Sequence, residues 1–456
     1  MANVAIIGGG PCGMSLLSAF RSAERSGEKI PNIVCFEKQS SISGLWNYSW
    51  KHGSDEHGEY VHNSMYRTLW SNGPKECSEM ADYTFEEHFG KAIPSYPPRA
   101  VLQDYLLGKA KKHNISEFVR SNTVVRTVKE KGDRFTVSYE DLVNKTHGED
   151  TFDYVVVATG HYSVPHIPIY PGIDQFPGRV LHSHDFRNAE EFKDQTIVLL
   201  GSSYSAEDIA LQCYKYGAKK CIISYRSKPM GYNWPEQIKE VPQLQKIEGK
   251  TFHFADGSSI NADSLIMCTG YQHFYPFLSE RIKLSATNHL YIDKLYKGVI
   301  FEDNHKLIYL GAQDQYYTFT LFDVQAWFAR DFILGKIKLP NVKEMKADME
   351  SWMTRFSGLT THAEEIDFQS DYIKDLLRVT NYPQHDVDKM NAAFKQWKDD
   401  KRKDILTYRD IPFTSVITGT PSPEMKVAWL KAMDSSLNWF VNESLKINVE
   451  SKKSIG

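Results

Sequence analysis

Residues 176–186 are Phe-Pro-Gly-Arg-Val-Leu-His-Ser-His-Asp-Phe, which sets Phe, Gly, His and Phe in an F-x-G-x-x-x-H-x-x-x-F frame. The segment lies between two glycine-rich turns, at residues 8–13 and 201–206, and each turn follows a short apolar run. An apolar strand, a glycine turn and a helix in that order are typical of a Rossmann-like unit. The sequence therefore predicts an α/β fold in which two such units meet at residues 176–186.

The first turn is surrounded by all the elements expected of such a unit. The apolar run 4–7 leads into Gly-Gly-Gly-Pro-Cys-Gly, apolar residues at helical spacing follow, and a second apolar run at 33–36 ends at Glu37. In such a unit the glycines allow the tight turn, the approach of a pyrophosphate and the contact of helix with strand, and the acid accepts hydrogen bonds from a ribose. We therefore predict a dinucleotide site at Gly8, Gly10, Gly13 and Glu37. An ordinary glycine-rich turn is the alternative.

The second turn departs from the glycine pattern and differs in the residue after its second strand. Ser203 and Ala206 replace two glycines after Gly201, and Arg226 stands where an acid would favour an unphosphorylated ribose. An acid would repel a 2′-phosphate, whereas an arginine can bind it with two hydrogen bonds. This turn is therefore predicted to bind NADP(H) in preference to NAD(H). Lys228 is a further candidate for binding the 2′-phosphate, and the alternative is an ordinary solvated lysine.

The order of the remaining elements predicts that one unit is inserted into the other. A proline-rich connector begins after the strand that ends at Thr159-Gly160, and the second unit has a matching strand end at Thr269-Gly270. A buried strand at 307–311 and an apolar helix at 322–334 indicate a return to the first sheet. We predict a first domain over residues 1–164, an inserted domain over 165–277, and the second part of the first domain over 278–456. The helical C-terminal region could cover the first domain or form a dimer face.

Composition excludes several classes of protein. The formal net charge of −3 and the 24% charged residues do not favour nucleic-acid binding. No apolar run approaches the ~18–20 residues that cross a bilayer, and a strand-like run at Val4 leaves no room for a signal peptide. The six cysteines are scattered without a C-x-x-C pair, which argues against a metal site or a redox dithiol. We expect a cytoplasmic protein with no membrane segment, no bound metal and no nucleic-acid partner.

Three motifs together resemble a known family. The turn at 8–13, the frame at 176–186 and the turn at 201–206 resemble those of the class B flavin-containing monooxygenases, and within them the bacterial trimethylamine monooxygenase type. The likeness covers essentially the whole chain. Related Baeyer–Villiger enzymes carry Trp at the last position of the frame, where this chain has Phe186, which favours oxygenation of a heteroatom.

The resemblance implies an FAD domain in two pieces with an NADP domain inserted, and it implies their contacts. The implied FAD contacts are Gly8, Gly10, Cys12, Gly13, Glu37, Gln39, Leu45, Trp46, His62, Val125, Gln315 and Thr318. The implied NADP contacts are Trp70, Asn72, Gly201, Ser203, Tyr204, Ser205, Arg226 and Ser227, with Arg409 as a second basic contact. Tyr204 stands where many members have Asn, and the resemblance implies that it lies close to both coenzyme rings.

The resemblance also implies the reaction. NADPH reduces FAD, O₂ adds to give a C4a-(hydro)peroxyflavin, and bound NADP⁺ shelters it with the Asn72 side chain as a further donor. A neutral tertiary amine, most readily trimethylamine, is then converted to its N-oxide. The pKa of a free alkylamine is roughly 10, so its reacting form is a small minority at neutral pH. A homodimer is implied by analogy alone.

Several alternatives remain open at this point. A Baeyer–Villiger, sulfide or indole monooxygenase could use the same scaffold, and a flavin-binding sensor would bind FAD without turnover. A disulfide reductase needs a cysteine pair beside the flavin, and none of the six cysteines has that spacing. Asn72 could simply stabilise the turn that contains it. His182 and His184 suggest a catalytic or metal role, but no third ligand is spaced nearby, and a hydrogen bond between domains is preferred for His182.

Overall fold

The structure is a computed structural model, and it describes residues 1–284 and 289–445. The helices are α1 Pro11–Arg25, α2 Phe85–Phe89, α3 Arg99–His113, α4 Tyr204–Lys215, α5 Thr318–Ile333, α6 Val342–Ser357, α7 His362–Leu377 and α8 Val387–Lys403. The strands are β1 Asn3–Ile7, β2 Asn32–Phe36, β3 Val119–Arg120, β4 Thr123–Lys131, β5 Arg134–Asp141, β6 Thr146–Phe152, β7 Tyr154–Val157, β8 Val164–Pro165, β9 Arg179–His182, β10 Thr196–Leu200, β11 Lys220–Ser224, β12 Ile238–Val241, β13 Leu244–Glu248, β14 Thr251–Phe254, β15 Ser259–Asn261, β16 Ser264–Met267, β17 Tyr271–Gln272, β18 Leu295–Tyr296, β19 Ile300–Phe301 and β20 Leu307–Tyr309.

The first sheet has seven strands in the order β18-β19-β20-β7-β1-β2-β3. Strand β1 lies near its centre and pairs in parallel with β2 and β7, and β20 pairs in parallel with β7. Strands covered by helices or other layers on both faces need continuous apolar runs, and residues 4–7 are such a run with every side chain buried. The predicted return of the chain to the first sheet through residues 307–311 is confirmed.

The second sheet has the order β12-β11-β10-β16-β9, and its pairings are parallel. All five of these strands fall in the sequence between β7 and β18 of the first sheet. The second Rossmann-like sheet is therefore inserted into the first unit, and the predicted fold class is confirmed. Smaller antiparallel sheets, β4-β5-β6 and β13-β14-β15, flank the two parallel ones.

The antiparallel pair β4-β5 is extended by a third strand, β6, for which the sequence gives no signal. Strand β6 carries Thr-His-Gly-Glu-Asp-Thr-Phe and pairs with β5 along seven registered positions. Most of its side chains are polar and partly or fully exposed, because it forms the edge of a three-stranded sheet. A strand that buries so few apolar side chains gives no periodicity for sequence reasoning to detect.

The segment 176–186 forms the edge strand of the second sheet and then contacts the first domain. Gly178 is required sterically, since a Cβ there would lie 2.3 Å from the carbonyl oxygen of Asp263. Phe186 is fully buried and meets Tyr66 edge-on at 5.1 Å between ring centroids. The hydrogen bond predicted to link the domains through His182 is instead local, because its Nδ1 accepts from the backbone N–H of His184 at 3.0 Å.

A residue just beyond that segment makes the link that was expected of His182. Arg187 donates to the carbonyl oxygens of Lys51 and Asn63 at 2.8 Å each, and to that of His184 at 2.6 Å. One buried guanidinium therefore bridges a loop of the first domain and the end of the β9 segment. Arginine suits this role because its five N–H donors point in fixed directions.

The C-terminal helices cover the first domain. Helix α5 packs along α1, α7 packs on α5 and α8, and α8 reaches helix α4 of the inserted unit through an ion pair between Lys401 and Glu207 at 2.5 Å. In residues 1–284 and 289–445, no helix is both long and apolar enough to span a bilayer. Across the same residues, no three His, Cys, Asp or Glu side chains are grouped as a metal site would need.

Candidate active site

One cavity of about 2050 Å³ lies where the two parallel sheets face each other. Both glycine turns line it, together with loops that follow the carboxyl ends of the strands. Ligands of open α/β sheets bind at this edge, because the strand ends and the first turns of the following helices meet there. Pockets for one small molecule occupy roughly 300–1,000 Å³, so this cavity has room for two large coenzymes.

The first turn is held by close backbone contacts. Gly8 has φ +107°, and a Cβ there would lie 2.6 Å from the carbonyl oxygen of Ala158, while a Cβ at Gly13 would lie 2.1 Å from that of Gly8. At Gly10 the nearest atom to a Cβ would be the Cα of Gly44 at 3.5 Å, an ordinary contact. The fold itself therefore does not need glycine at position 10. The absent side chain keeps the cavity wall free there, as a pyrophosphate requires.

Glu37 is buried at the end of β2 and lines the same cavity. Its Oε2 accepts from the backbone N–H of Gly9 and its Oε1 from that of Gln39, each at 2.7 Å. Burial raises the pKa of this carboxyl, and the two backbone donors oppose that rise. Each carboxylate oxygen has a second lone pair, so Glu37 keeps acceptor capacity for the hydroxyls of a ribose.

The second turn repeats the geometry of the first. Gly201 has φ +116°, and a Cβ there would lie 2.2 Å from the carbonyl oxygen of Cys268. Its N–H donates to the carbonyl of Ser224 at 2.9 Å, as the N–H of Gly8 donates to that of Phe36 at 2.9 Å. Ser203 then begins helix α4 with no hydrogen bond from its side chain to the helix end. The N–H groups of this helix terminus therefore remain free for an anion.

Arg226 lies on the wall of the cavity two residues after β11. Its side chain is exposed, and within the described part of the chain it forms no ion pair. A guanidinium without a carboxylate partner keeps all its donors available for a phosphate. Ser227 and Lys228 line the cavity beside it.

The structure brings nearly all of the predicted site residues onto this one cavity. Those on its wall are Gly8, Gly10, Cys12, Glu37, Gln39, Leu45, Trp46, His62, Trp70, Asn72, Val125, Gly201, Ser203, Tyr204, Ser205, Arg226, Ser227, Gln315 and Thr318. Gly13 lies behind the wall, where it lets α1 approach β1.

Arg409 does not line the cavity, so the structure does not support the direct contact with NADP that the resemblance implied. Its guanidinium is buried, forms an ion pair with Asp208 and donates to the carbonyl oxygen of Ser71 at 3.0 Å. Asp208 lies on the wall in its place. The buried guanidinium therefore balances the charge of Asp208, which faces the cavity.

Asn72 lies in the turn after Trp70, and the structure separates its two possible roles. The turn is closed by Ser71, whose hydroxyl donates to the carbonyl of Gly73 at 2.5 Å. Within residues 1–284 and 289–445 the amide of Asn72 has no side-chain hydrogen bond, and it lines the cavity. The turn-stabilising role considered for Asn72 is therefore performed by its neighbour.

Sequence reasoning missed one wall of the cavity. Helix α8 contributes Phe394, Trp397, Lys398 and Arg402, although no motif marks this helix. The ring of Trp397 lies nearly parallel to that of Tyr204, at 14° with centroids 6.3 Å apart. A signal was present, since positions 394, 397, 398 and 401 share one helical face that is aromatic and basic. That pattern alone does not say what the face contacts.

Comparison with known proteins places this geometry in a family. Residues 1–232 and 236–396 match the family model described as flavin-binding monooxygenase-like. The chain is 54% identical to a trimethylamine monooxygenase of Pelagibacter sp. strain HTCC7211 over 97% of this chain and 100% of that protein. The crystal structure of Tmm from the same strain superposes with a TM-score of 0.95, covering 96% of this chain and 100% of that one.

A more distant solved structure has the same fold. S-allyl-L-cysteine S-oxygenase from Allium sativum is 29% identical, with a TM-score of 0.78 over 90% of this chain and 95% of its own. The likeness thus extends over both sheets and the helices that cover them. The chain belongs to the flavin-binding monooxygenase-like family and is a monooxygenase with FAD and NADP as its cofactors.

Proposed function

We propose that this enzyme uses NADPH and O₂ to oxygenate the nitrogen of a small tertiary amine, trimethylamine above others, to give the N-oxide and water. The observation that carries this proposal is the single cavity that receives both glycine turns and the free amide of Asn72. It is supported by the 54% identity to a trimethylamine monooxygenase over almost the whole length.

The chain's own residues fit the two coenzymes. The turn around Gly10 and the carboxylate of Glu37 would hold FAD, and the turn around Gly201 with Arg226 would hold NADP. When bound, FAD supplies the centre that activates O₂, and NADPH supplies the hydride. The protein contributes position, since rings held face to face avoid the entropy cost of meeting.

Side chains around the proposed reaction space would also keep water out. Trp70 and Tyr66 are almost fully buried, and Trp46 and Phe319 meet edge-on at 5.5 Å, all on the wall of the cavity. Asn72 is proposed to donate a hydrogen bond to the developing negative charge, and Tyr204 is proposed to lie next to it. The route of oxygen transfer predicted from the sequence stays a prediction.

The test is direct turnover. Purified enzyme is supplied with FAD, NADPH, O₂ and trimethylamine, and both NADPH consumption and trimethylamine N-oxide are quantified. We expect one N-oxide for each NADPH consumed in excess of the rate without amine. NADPH consumption that yields only hydrogen peroxide, whatever the amine, would refute the proposal, and FAD binding without turnover would indicate a sensor.

Oxygenation of a sulfide is a second candidate, favoured by the structural likeness to an S-oxygenase. A soft sulfur nucleophile needs no deprotonation, so its rate should depend on pH less than that of an amine. Competition between dimethyl sulfide, indole and trimethylamine at equal concentration ranks these substrates. Conversion of cyclohexanone to its lactone would instead support the Baeyer–Villiger alternative.

A homodimer and a cytoplasmic location stay predictions from the sequence. Light scattering on the eluting peak of a gel-filtration column would distinguish a dimer of about 105 kDa, twice the 52.3 kDa chain, from a monomer. An interface between copies would bury more than ~1,000 Å² in total if it is stable.

A further inference from the structure

Helix α8 places a lysine among aromatic rings on the wall of the cavity. The Nζ of Lys398 donates to the hydroxyl of Tyr204 at 2.7 Å. It lies 4.7 Å from the ring centroid of Tyr204, 4.8 Å from that of Trp397 and 5.5 Å from that of Tyr316. Lys398 is only 6% exposed, and all four residues line the cavity. We call Tyr204, Tyr316 and Trp397 the aromatic cage.

An aromatic cage normally attracts a cation from outside the protein. The faces of Tyr and Trp carry negative potential, and cages of this kind bind methylated ammonium groups in many proteins. Protonated trimethylamine has that chemistry. With an amine pKa of roughly 10, the cation exceeds the neutral base by about a thousandfold at pH 7, yet it has no lone pair to react. An empty cage in this position would collect the unreactive form.

The charges around Lys398 come from three helices. Lys401 and Arg402 lie on its own helix, Glu207 faces it from α4, and Glu365 faces it from α7. Lys401 is paired with Glu207 at 2.5 Å, while the carboxylate of Glu365 contacts the ring nitrogen of His362 at 2.9 Å. Three cations against two carboxylates leave this part of the wall with one net positive charge while Lys398 is protonated.

We propose that Lys398 determines specificity: its own ammonium occupies the aromatic cage and excludes methylated ammonium ions, so that the cavity admits an amine as the neutral base. This role of Lys398 deepens the proposed amine oxygenation, and its benefit to the enzyme depends on that proposed function. The geometry on which it depends is that of Lys398 and the three rings, which no coenzyme has to complete.

The size of the effect follows from Coulomb's law. Two unit charges about 6 Å apart in a medium of effective dielectric constant ~20 repel strongly enough to weaken binding by about 100-fold. Removal of the lysine charge should therefore strengthen the binding of a methylated cation by at least about tenfold, even after solvent has weakened part of the repulsion.

The exclusion should also depend on pH. Burial lowers the pKa of Lys398 to about 7, and the neighbouring Lys401 adds to that effect, whereas Glu207 and Glu365 oppose it. Below pH 7 the lysine is charged and the cage is filled by a cation. Above pH 7 the lysine amine becomes neutral, so its repulsion of an external cation disappears although the side chain remains between the rings.

The experiment measures binding to the enzyme loaded with FAD and NADP⁺, without turnover. Tetramethylammonium, a permanent cation of the right shape, is titrated at pH 6 and pH 9 by ligand-observed NMR. We compare wild type with Lys398→Met, Lys398→Arg and a surface control, Lys395→Met. Lys395 lies on the same helix as Lys398 and pairs with Asp367 of α7. Tert-butanol serves as the neutral probe of similar size.

At pH 6, Lys398→Met should bind tetramethylammonium at least tenfold more tightly than wild type, while tert-butanol affinity changes by less than about threefold. Wild type should gain affinity at pH 9, and Lys398→Arg should not, because arginine stays charged. Equal affinity of wild type and Lys398→Met at pH 6, or no binding to any variant at either pH, overturns the proposal. If Lys398→Met fails to fold, the contrast between wild type and Lys398→Arg at pH 9 decides.

The outcome is independent of the proposed reaction. An enzyme that makes no N-oxide but shows this binding pattern would refute the proposed function and leave the role of Lys398 standing. An enzyme that makes N-oxide and binds tetramethylammonium equally with and without the lysine would support the proposed function and refute the role of Lys398.

Discussion

Asn72 offers an amide to the cavity because Ser71 makes the hydrogen bond that closes the turn. If the amide stabilises the oxidant, Asn72→Ala should bind FAD and consume NADPH but form N-oxide at least about tenfold more slowly, with hydrogen peroxide in its place. N-oxide and peroxide are quantified in the same reaction. Ser71→Ala is the matched control, since it should lower stability by about 1 kcal/mol and leave the product ratio unchanged. A normal N-oxide yield from Asn72→Ala would remove the residue from the mechanism.

Arg226 carries the predicted preference for the phosphorylated nicotinamide coenzyme. A charge-assisted hydrogen bond contributes about 1.5–3 kcal/mol, so Arg226→Glu should raise the KM for NADPH by about 10- to 100-fold and leave the KM for NADH within a few fold. Steady-state kinetics with both coenzymes measure this. Lys228→Glu tests whether the neighbouring exposed lysine also binds the phosphate or is merely solvated. If it is solvated, this substitution should change the ratio of the KM for NADPH to the KM for NADH by less than about threefold. An unchanged preference in Arg226→Glu would contradict the assignment.

Single residues were predictable where a motif fixes their backbone. Gly8, Glu37 and Gly201 occupy positions set by the turn and strand pattern, and each lies on the cavity wall. Arg409 was not predictable, because its partner Asp208 is far away in sequence and nothing local reveals a buried ion pair. Lys398 was missed for the same reason, since its neighbours come from helices separated by many residues.

At the scale of elements, the two glycine turns are held by the same contact between a positive-φ glycine and the carbonyl that ends a neighbouring strand. Gly201→Ala adds a Cβ 2.2 Å from that oxygen at a φ that alanine rarely adopts, so we expect at least about 2 kcal/mol of lost stability and a raised KM for NADPH. Thermal melting and kinetics measure the two effects.

A control for that substitution is available at the end of α6. Gly358 has φ −89°, and a Cβ there would meet its nearest atoms at 3.6 and 3.9 Å. Gly358→Ala should therefore change stability by less than about 1 kcal/mol. If Gly201→Ala were equally mild, the second turn would not be a constrained coenzyme turn.

Elements with strong periodicity were predicted, and those without it were not. The helix expected over 322–334 begins four residues earlier, at Thr318, because apolar and polar residues alternate in Thr-Phe-Thr-Leu and hide the helical period at the start of α5. Strand β6 was not predicted because it has too few apolar side chains to give a periodic pattern. The contact of α8 with the cavity was not predicted because the pattern of an amphipathic helix does not identify what its apolar face packs against.

For the molecule as a whole, buried neutral histidines set a limit on acid stability. Burial lowers the pKa of His161 to about 3 and that of His182 to about 4, and each is 4% exposed. Well above pH 6.5 both histidines are neutral in the folded and in the unfolded chain, so they make no pH-dependent contribution to stability. As the pH falls below 6.5, these histidines become protonated in the unfolded chain but stay neutral in the folded one. The stability of the fold therefore falls until about pH 4 for His182 and about pH 3 for His161.

The loss should reach on the order of 3 kcal/mol for each histidine. A melting temperature measured from pH 7.5 to 4 should decline steadily below pH 6.5. His182→Asn keeps an acceptor for the N–H of His184 and should flatten the decline, whereas the exposed His147→Gln should not. A pH profile identical in wild type and His182→Asn would show that this histidine does not carry the effect.

The arrangement of two sheets, one inserted in the other, followed from the order of motifs alone, because two strand–turn–helix patterns in one chain leave few topologies. The domain boundaries at 164, 165 and 277 stay predictions. Contacts between the units could not be predicted, since Arg187 and the Tyr66–Phe186 pair depend on side chains that no pattern links.

The inserted unit leaves and rejoins the first domain through strands that lie side by side. Strand β8 pairs with β17 antiparallel, Pro165 opposite Tyr271 and Val164 opposite Gln272. Entry and exit of about a hundred residues are thus separated by one strand spacing of roughly 4.8 Å. The inserted unit could therefore be exchanged as a block at this junction, provided that the incoming unit supplies carboxylates in place of Glu207 and Asp208 to pair with the buried Lys401 and Arg409.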